Sequence, residues 1–154
     1  MKMNKINKIS IILSVFNGGE YLKEALISIQ NQTYKNWELI FWDNRSTDNS
    51  KNIFKSFKNK KFKYYISKKH TSLYKARNLA IKKSRGQFIS FIDADDLWER
   101  NKLKKQVELF LRNKQVSLIY SNLWIQNENL KKRKLYWKKD LPSGIIYKKI
   151  IKEY

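Results

Sequence analysis

Cysteine is absent from the 154 residues. That excludes a disulfide framework, a thiolate metal site and a cysteine nucleophile, and it fits a reduced compartment. Long apolar runs are missing too. Stretches such as Ile11–Leu13 and Val15–Phe16 break off far short of the roughly 20 residues a bilayer-spanning helix requires. The opening MKMNKINKIS carries basic residues but no apolar block of signal-peptide length, so secretion by such a leader is not expected. Histidine occurs once, at His70. Carboxylates are scarce, with 13 Asp+Glu against 34 Lys+Arg and a formal net charge of +21.

What is present is enough to bury one core, since 42% of residues are hydrophobic and 14% aromatic. We read residues 1–154 as a single domain or part of one. The basic excess suggests nucleic acid, an anionic membrane surface or phosphorylated ligands. Its lysines are scattered among abundant Asn and Ile, however, which biased base composition also produces. The densest cluster, KKRKLYWKK at 131–139, suits anionic lipid head groups. Aromatics among lysines there and in KNKKFKYYISKK are also what a nucleic-acid-binding α/β domain would carry. Against that stands FISFIDADDLWER, residues 88–100, where Asp93, Asp95 and Asp96 crowd together and would repel phosphate unless a cation lies among them.

The pattern along the chain alternates. ISIILSVF (9–16) reads as a buried strand broken by NGG. In EYLKEALISIQNQ, Leu22, Leu26 and Ile29 recur at helical spacing while Lys23, Glu24 and Gln30 face water. WELIFW (37–42) is a second strand, ended by DNRSTDNS, where Ser46 or Asp48 caps a helix bearing Ile53 and Phe57 on one face. KFKYYIS (61–67) is a third. SLYKARNLAIKKSRG offers Leu73, Ala76 and Ala80 as an inward stripe, with Gly86 suited to a helix C-terminus. QFISFI follows as the fourth strand, then a helix marked by Leu103, Val107 and Leu111, and VSLIYSNLWI (116–125) reads as a fifth strand. The expectation is an α/β fold with a mainly parallel sheet, helices on both faces, and strands at Ile9–Phe16 and Phe88–Ile92 buried on both sides.

In such sheets ligands lie beyond the carboxyl ends of the strands. Two of those ends are polar: DNRSTD after the second strand and DADD after the fourth. Carboxylates two residues apart on one loop repel each other and resist desolvation unless a cation sits among them, so Asp93 and Asp95 read as ligands for Mg²⁺ or Mn²⁺. Such ions take one or two protein carboxylates and complete their shells with water and phosphate oxygens. The bland alternative makes Asp95 or Asp96 the cap of a helix beginning near Glu99.

Taken in order, these segments resemble glycosyltransferase family 2, inverting nucleotide-sugar transferases of GT-A fold. SIILSVFNGGEYLKEALISIQNQTYKNWELIFWDNRSTDNS is similar to that family's opening strand, helix and second strand, and KARNLAIKKSRGQFISFIDADD to its approach to the DxD motif. The resemblance implies that Ser14 and Phe16 line a nucleobase pocket, with Phe16 standing where tyrosine is common. It puts Asp43 and Asn44 where the family often has two aspartates, the second typically meeting uracil. Asn44 departs from that, and UDP, GDP and dTDP stay open as donors. Arg77 falls in the ARN segment near the donor, where it meets phosphate or holds the acidic loop. Asp93, Ala94 and Asp95 match the DxD element, with Asp95 the direct metal ligand. His70 reads as a surface residue without catalytic duty.

The resemblance further implies a divalent metal, Mn²⁺ or Mg²⁺, a nucleotide-diphosphate sugar donor and a carbohydrate or lipid-linked acceptor in surface-polysaccharide synthesis. It implies a cytoplasmic location with peripheral contact to the inner face of the plasma membrane. Inverting transfer needs a carboxylate base on the acceptor side. Of the downstream acids Glu128, Asp140 and Glu153, none lies in a context like the family's base motif. We therefore expect the chain to be the donor-binding portion, with the acceptor half and its base beyond Tyr154. The rival readings are a non-catalytic remnant or partner subunit, and the basic nucleic-acid-binding domain.

Overall fold

The computed structural model describes residues 7–126 and 133–146. They fall into two compact units, one ending at Arg112 and the other starting at Asn113. The larger holds β1 (Ile9–Val15), α1 (Gly19–Gln30), β2 (Trp37–Asp43), α2 (Ser50–Ser56), β3 (Phe62–Ile66), α3 (Leu73–Ile81), β4 (Phe88–Phe91) and α4 (Lys102–Arg112). Its four strands are all parallel, in the order β3-β2-β1-β4. The α/β fold with a parallel sheet is as expected.

Alternation along the strands separates two cores. Ile9, Ile11, Leu13 and Val15 of β1 pack with Leu39 and Phe41 of β2 against Leu22, Leu26 and Ile29 of α1, Phe54 of α2, and Leu103 and Val107 of α4. Ile12, Ile40 and Trp42 point the other way, onto Ala76 and Ala80 of α3. The two small alanines let that helix lie close on the sheet. β1 and β2 are buried at every position, so their sequences are mainly apolar rather than alternating apolar with exposed polar residues.

The structure corrects several details. Among the described residues β4 lies at the edge of the sheet and is not buried on both sides: Ile89 and Phe91 are 37% and 47% exposed. Leu111 is exposed, and the last turn of α4 instead presents Phe110, which stacks on Phe88 with centroids 4.5 Å apart. In α2 the deepest apolar residue is Phe54, with Ile53 and Phe57 partly buried beside it. Leu73 is exposed at the first turn of α3. Gly86 does not end that helix. It lies in the turn into β4, where an added Cβ would come within 2.5 Å of the Ser10 backbone nitrogen, so glycine is there for close approach.

The smaller unit departs furthest from expectation. Residues 116–123 form no strand; only Trp124–Gln126 (β5) does, pairing antiparallel with Arg133–Leu135 (β6). Leu118, Tyr120 and Leu123 are exposed, and side chains of the segment bond to the backbone of Trp137 and Pro142. Tyr120 donates to the Pro142 carbonyl, while Asn122 donates to the Trp137 carbonyl and accepts from the Trp137 N–H.

One buried charge sits at the end of the parallel sheet where the strands begin. Glu38, 1% exposed, accepts from Lys8 Nζ (2.9 Å), Lys63 Nζ, Ser10 Oγ (2.8 Å) and the Arg85 N–H (2.7 Å). Burial alone would raise its pKa, but Lys63, Lys8, Ser10 and Arg85 outweigh that and hold it at about 2. The carboxylate thereby joins β1, β2, β3 and the turn before β4. Because the folded pKa lies below the ordinary 4.5, Glu38 contributes stability fully above that value and loses it as pH falls toward about 2. Glu38→Gln leaves two lysines facing an uncharged partner, and urea denaturation at pH 7 should show a loss of about 3 kcal/mol that shrinks toward pH 2.

Candidate functional site

The opposite edge of the sheet, where β1, β2 and β4 end, gathers most of the residues singled out from the sequence. The turns after β1 and β2 are stitched together. Asn17 (φ 52°) and Arg45 (φ 72°) adopt the left-handed region, which asparagine tolerates well. The Asn17 N–H donates to Ser46 Oγ (3.1 Å), and the Thr47 N–H donates back to Asn17 Oδ1 (2.8 Å). Asp48 accepts from the Gly19 N–H (2.8 Å) and the Ser50 N–H (3.1 Å), linking the starts of α1 and α2. Burial opposes its charge, yet the donors on Ser50 and Gly19 prevail and lower its pKa. Of the two proposed caps, Asp48 therefore serves α2, from one position ahead of the backbone N-cap Asn49.

Ser14 is buried on β1, and its Oγ makes no hydrogen bond with any described residue. Phe16 follows at the strand's end with half its surface exposed. Asp43 is buried, with one carboxylate oxygen accepting from the Ser46 N–H (2.7 Å) and the other from the Tyr64 hydroxyl. Burial, then the hydrogen bond to Asp43 and its charge, push the Tyr64 pKa above its ordinary value.

Asn44 is fully engaged. Its amide Nδ2 donates to the Thr71 carbonyl (2.7 Å), and its Oδ1 accepts from the Thr71 N–H and Oγ1–H, both at 3.1 Å. This latch draws the loop between β3 and α3 over the ends of β1 and β2. His70 comes with it. Although exposed, it is no bystander: its ring lies 4.2 Å from that of Phe16, tilted by 53°, and its Nδ1 is 3.1 Å from the Asn44 carbonyl oxygen. Sequence reading passed over His70, Thr71 and Tyr64, because nothing local marks a residue that a loop carries across the sheet.

The acidic loop lies between β4 and α4. Arg77 on α3 forms an ion pair with Asp93 Oδ1 and sits over the Phe91 ring, so of its two expected roles it holds the loop. Asp95 is exposed and makes no hydrogen bond with the described residues. Neither Asp95 nor Asp96 caps α4, which starts only at Lys102. Burial, followed by the charges of Asp93 and Asp95, raises the Asp96 pKa, as expected of carboxylates crowded together. Ala94 anchors the loop against the turn after β1, since a Cβ on Gly18 would lie 2.9 Å from the Ala94 Cβ. Farther along, the buried Gln32 side chain donates to the Glu99 carbonyl (2.9 Å) and accepts from the Leu103 N–H (3.1 Å).

Comparison with known proteins decides the family, for the profile described as glycosyl transferase family 2 matches residues 10–153. The chain belongs to glycosyl transferase family 2. It is 34% identical over 144 residues to the Escherichia coli UDP-Glc:alpha-D-GlcNAc-diphosphoundecaprenol beta-1,3-glucosyltransferase WfgD, a match covering 94% of this chain and 55% of that protein. This family 2 chain thus spans about half the length of that relative. Among solved structures it is similar to S. aureus TarS 1–349 in complex with UDP-GlcNAc, with a TM-score of 0.66 and 28% identity over 68% of this chain and 31% of that one. The fold is also that of the mannosyltransferase PcManGT from Pyrobaculum calidifontis in complex with GDP-Man and Mn²⁺, with a TM-score of 0.63 and 21% identity over 70% and 33% of the two chains. Among the described residues no helix is long and apolar enough to cross a membrane.

The contact between Gly18 and Ala94 is testable by a double-mutant cycle. Gly18 has an ordinary φ of −102°, so space alone decides there. Gly18→Ala should cost about 1–3 kcal/mol by overpacking. Adding Ala94→Gly should recover about half, a coupling that thermal unfolding of the four proteins would report.

Proposed function

We propose that this edge binds a nucleotide-diphosphate sugar, with the base over Phe16 and the diphosphate at the acidic loop, for transfer with inversion to an acceptor hydroxyl. One observation carries the reading. Arg77 neutralises Asp93, while Asp95 stays exposed and uncommitted on a loop held against the turn that bears Phe16.

The donor set fits a hard divalent ion. Asp95, with Asp93 beside it, offers oxygen ligands, and Asp96 carries a raised pKa that a nearby cation would relieve. Among the described residues no group of three or more His, Asp or Glu side chains is assembled to hold an ion alone. That suits Mg²⁺ or Mn²⁺, which leave most positions to water and phosphate. Bound there, such an ion would offset negative charge on the departing diphosphate.

The chain's own residues do the positioning. Arg77 keeps the loop in place, the exposed face of Phe16 supplies a stacking surface, and the stitched turns after β1 and β2 keep that surface rigid. A base for the acceptor hydroxyl is still required. Asp43 is committed to Ser46 and Tyr64, Asp140 belongs to the smaller unit, and Glu128 and Glu153 lie outside the described residues. The 34% identical relative is named for a diphosphoundecaprenol acceptor, which supports a lipid-linked acceptor and surface-polysaccharide synthesis here. Basic residues such as Arg133, Lys134, Lys138 and Lys139 would suit peripheral contact with an anionic membrane.

Calorimetric titration of UDP with and without Mn²⁺ tests the reading. Wild type should bind in a metal-dependent, saturable manner, and Asp95→Asn should weaken binding at least about tenfold, the loss of one charge-assisted contact. Metal-independent binding unchanged by Asp95→Asn would sink it, and steeply salt-dependent oligonucleotide binding in its place would favour the nucleic-acid alternative.

A further inference from the structure

We infer that His70, rather than Asn44, reads the Watson–Crick edge of the donor's base, selecting uracil, thymine or guanine over cytosine. The inference rests on the nucleotide reading above and deepens it. It starts from a hydrogen-bond inventory. An asparagine side chain offers two donor hydrogens and one acceptor oxygen. At Asn44 the oxygen takes both the N–H and the hydroxyl of Thr71, and the amide donates to the Thr71 carbonyl at 2.7 Å. Its second N–H lies on the His70 side, with Nδ2 3.4 Å from the imidazole Nδ1, and the residue is only 4% exposed, so little of the side chain is open to a ligand.

The latch delivers a substitute. With Thr71 fixed on Asn44, His70 leans across Phe16, centroids 4.2 Å apart, while Phe16 keeps 51% of its surface open. A base lying on the open part of the phenyl ring therefore meets the imidazole at its rim. The tautomer follows from the partner. His70 Nδ1 is 3.1 Å from the Asn44 carbonyl oxygen, which can only accept, so Nδ1 carries the proton; the approach of Asn44 Nδ2, at 3.4 Å, is longer. Nε2 is then an acceptor in the neutral ring.

An acceptor at that position complements the N3–H of uracil or thymine and the N1–H of guanine. It opposes the N3 lone pair of cytosine. A site that offers only an acceptor leaves two lone pairs facing each other when cytosine binds, which costs about one hydrogen bond and gives about tenfold discrimination.

Two side chains separate the ring nitrogens. Glutamine places an amide oxygen near the position of Nε2, whereas asparagine mimics Nδ1 and reaches no farther. Both lose the aromatic contact with Phe16 equally. The full-length chain and its His70→Gln and His70→Asn variants are titrated with UDP and with CDP in the presence of Mn²⁺. Wild type should prefer UDP about tenfold, His70→Gln should keep most of that preference, and His70→Asn should lose it. Preference retained by His70→Asn would overturn the inference, as would equal loss in both variants, since ring contact and not Nε2 would then set it. Wild type binding UDP and CDP alike overturns it while leaving the nucleotide reading intact; wild type binding neither overturns both.

An independent readout needs no variant. As the sole histidine, His70 gives a single pair of imidazole ¹⁵N resonances. They should show the Nδ1–H form in the free protein, with the Nε2 signal moving on addition of UDP and not of CDP. An Nε2–H tautomer, or a shift at Nδ1 alone, refutes the inference.

Discussion

A parallel strand covered on both faces has no place in its middle for an unpaired charge. β1 and β2 meet that constraint along their whole length, with every residue buried and the sheet's two faces closed by α1, α2 and α4 on one side and α3 on the other. Charge in these two strands is therefore driven to the ends. Glu38 lies near the start of β2, while Asp43 terminates it and Asn44 follows. Desolvating a lone carboxylate costs several kcal/mol even after relaxation, so each end must be answered by partners or by solvent.

The two ends answer differently, and the difference separates structure from chemistry. At the Glu38 end two lysines, a hydroxyl and a backbone N–H converge, and the carboxylate is saturated by the protein itself. At the other end Asp43 is likewise saturated by Ser46 and Tyr64, and Asp93 has Arg77. Asp95 and Asp96 are left crowded, and burial together with the charges of Asp93 and Asp95 raises the Asp96 pKa. A protein able to build the Glu38 cluster could have neutralised Asp95 in the same way. That it does not, on a loop otherwise fastened by Arg77, Ala94 and Gln32, supports the proposed binding of an external cation and phosphate at this edge.

Much of this was legible in the residues because it follows from periodicity and burial. Ile9–Val15 and Trp37–Asp43 are predominantly apolar, and Leu22, Leu26 and Ile29 repeat at helical spacing; those elements formed as read. The failures share a cause. VSLIYSNL has the composition of a strand, but strand formation needs a partner ladder, and side-chain bonds from Tyr120 to Pro142 and from Asn122 to Trp137 stand there instead. Phe88–Ile92 looks buried on both sides in one dimension, yet its place at the sheet edge is a fact of topology. The roles of His70, Thr71 and Tyr64 depend on hydrogen-bond partners 21 to 27 residues away in sequence, and for His70 also on Phe16, which no local pattern encodes.

The asparagine at 44 illustrates how one substitution redistributes work. A carboxylate there would accept from the Thr71 N–H and hydroxyl as Asn44 does, but it would face the Thr71 carbonyl with a lone pair, and it would add a second charge beside the buried Asp43. The amide removes that charge and turns the repulsive contact into a 2.7 Å hydrogen bond. It thereby spends its polar atoms on holding the loop from Ser67 to Ser72, whose other end is tied by the Ser67 N–H to the Asp43 carbonyl. A residue committed to a loop on every polar atom has none left for a ligand. Recognition must then come from what the loop carries, and the aromatic pair of His70 and Phe16 is what it brings to the mouth of the site.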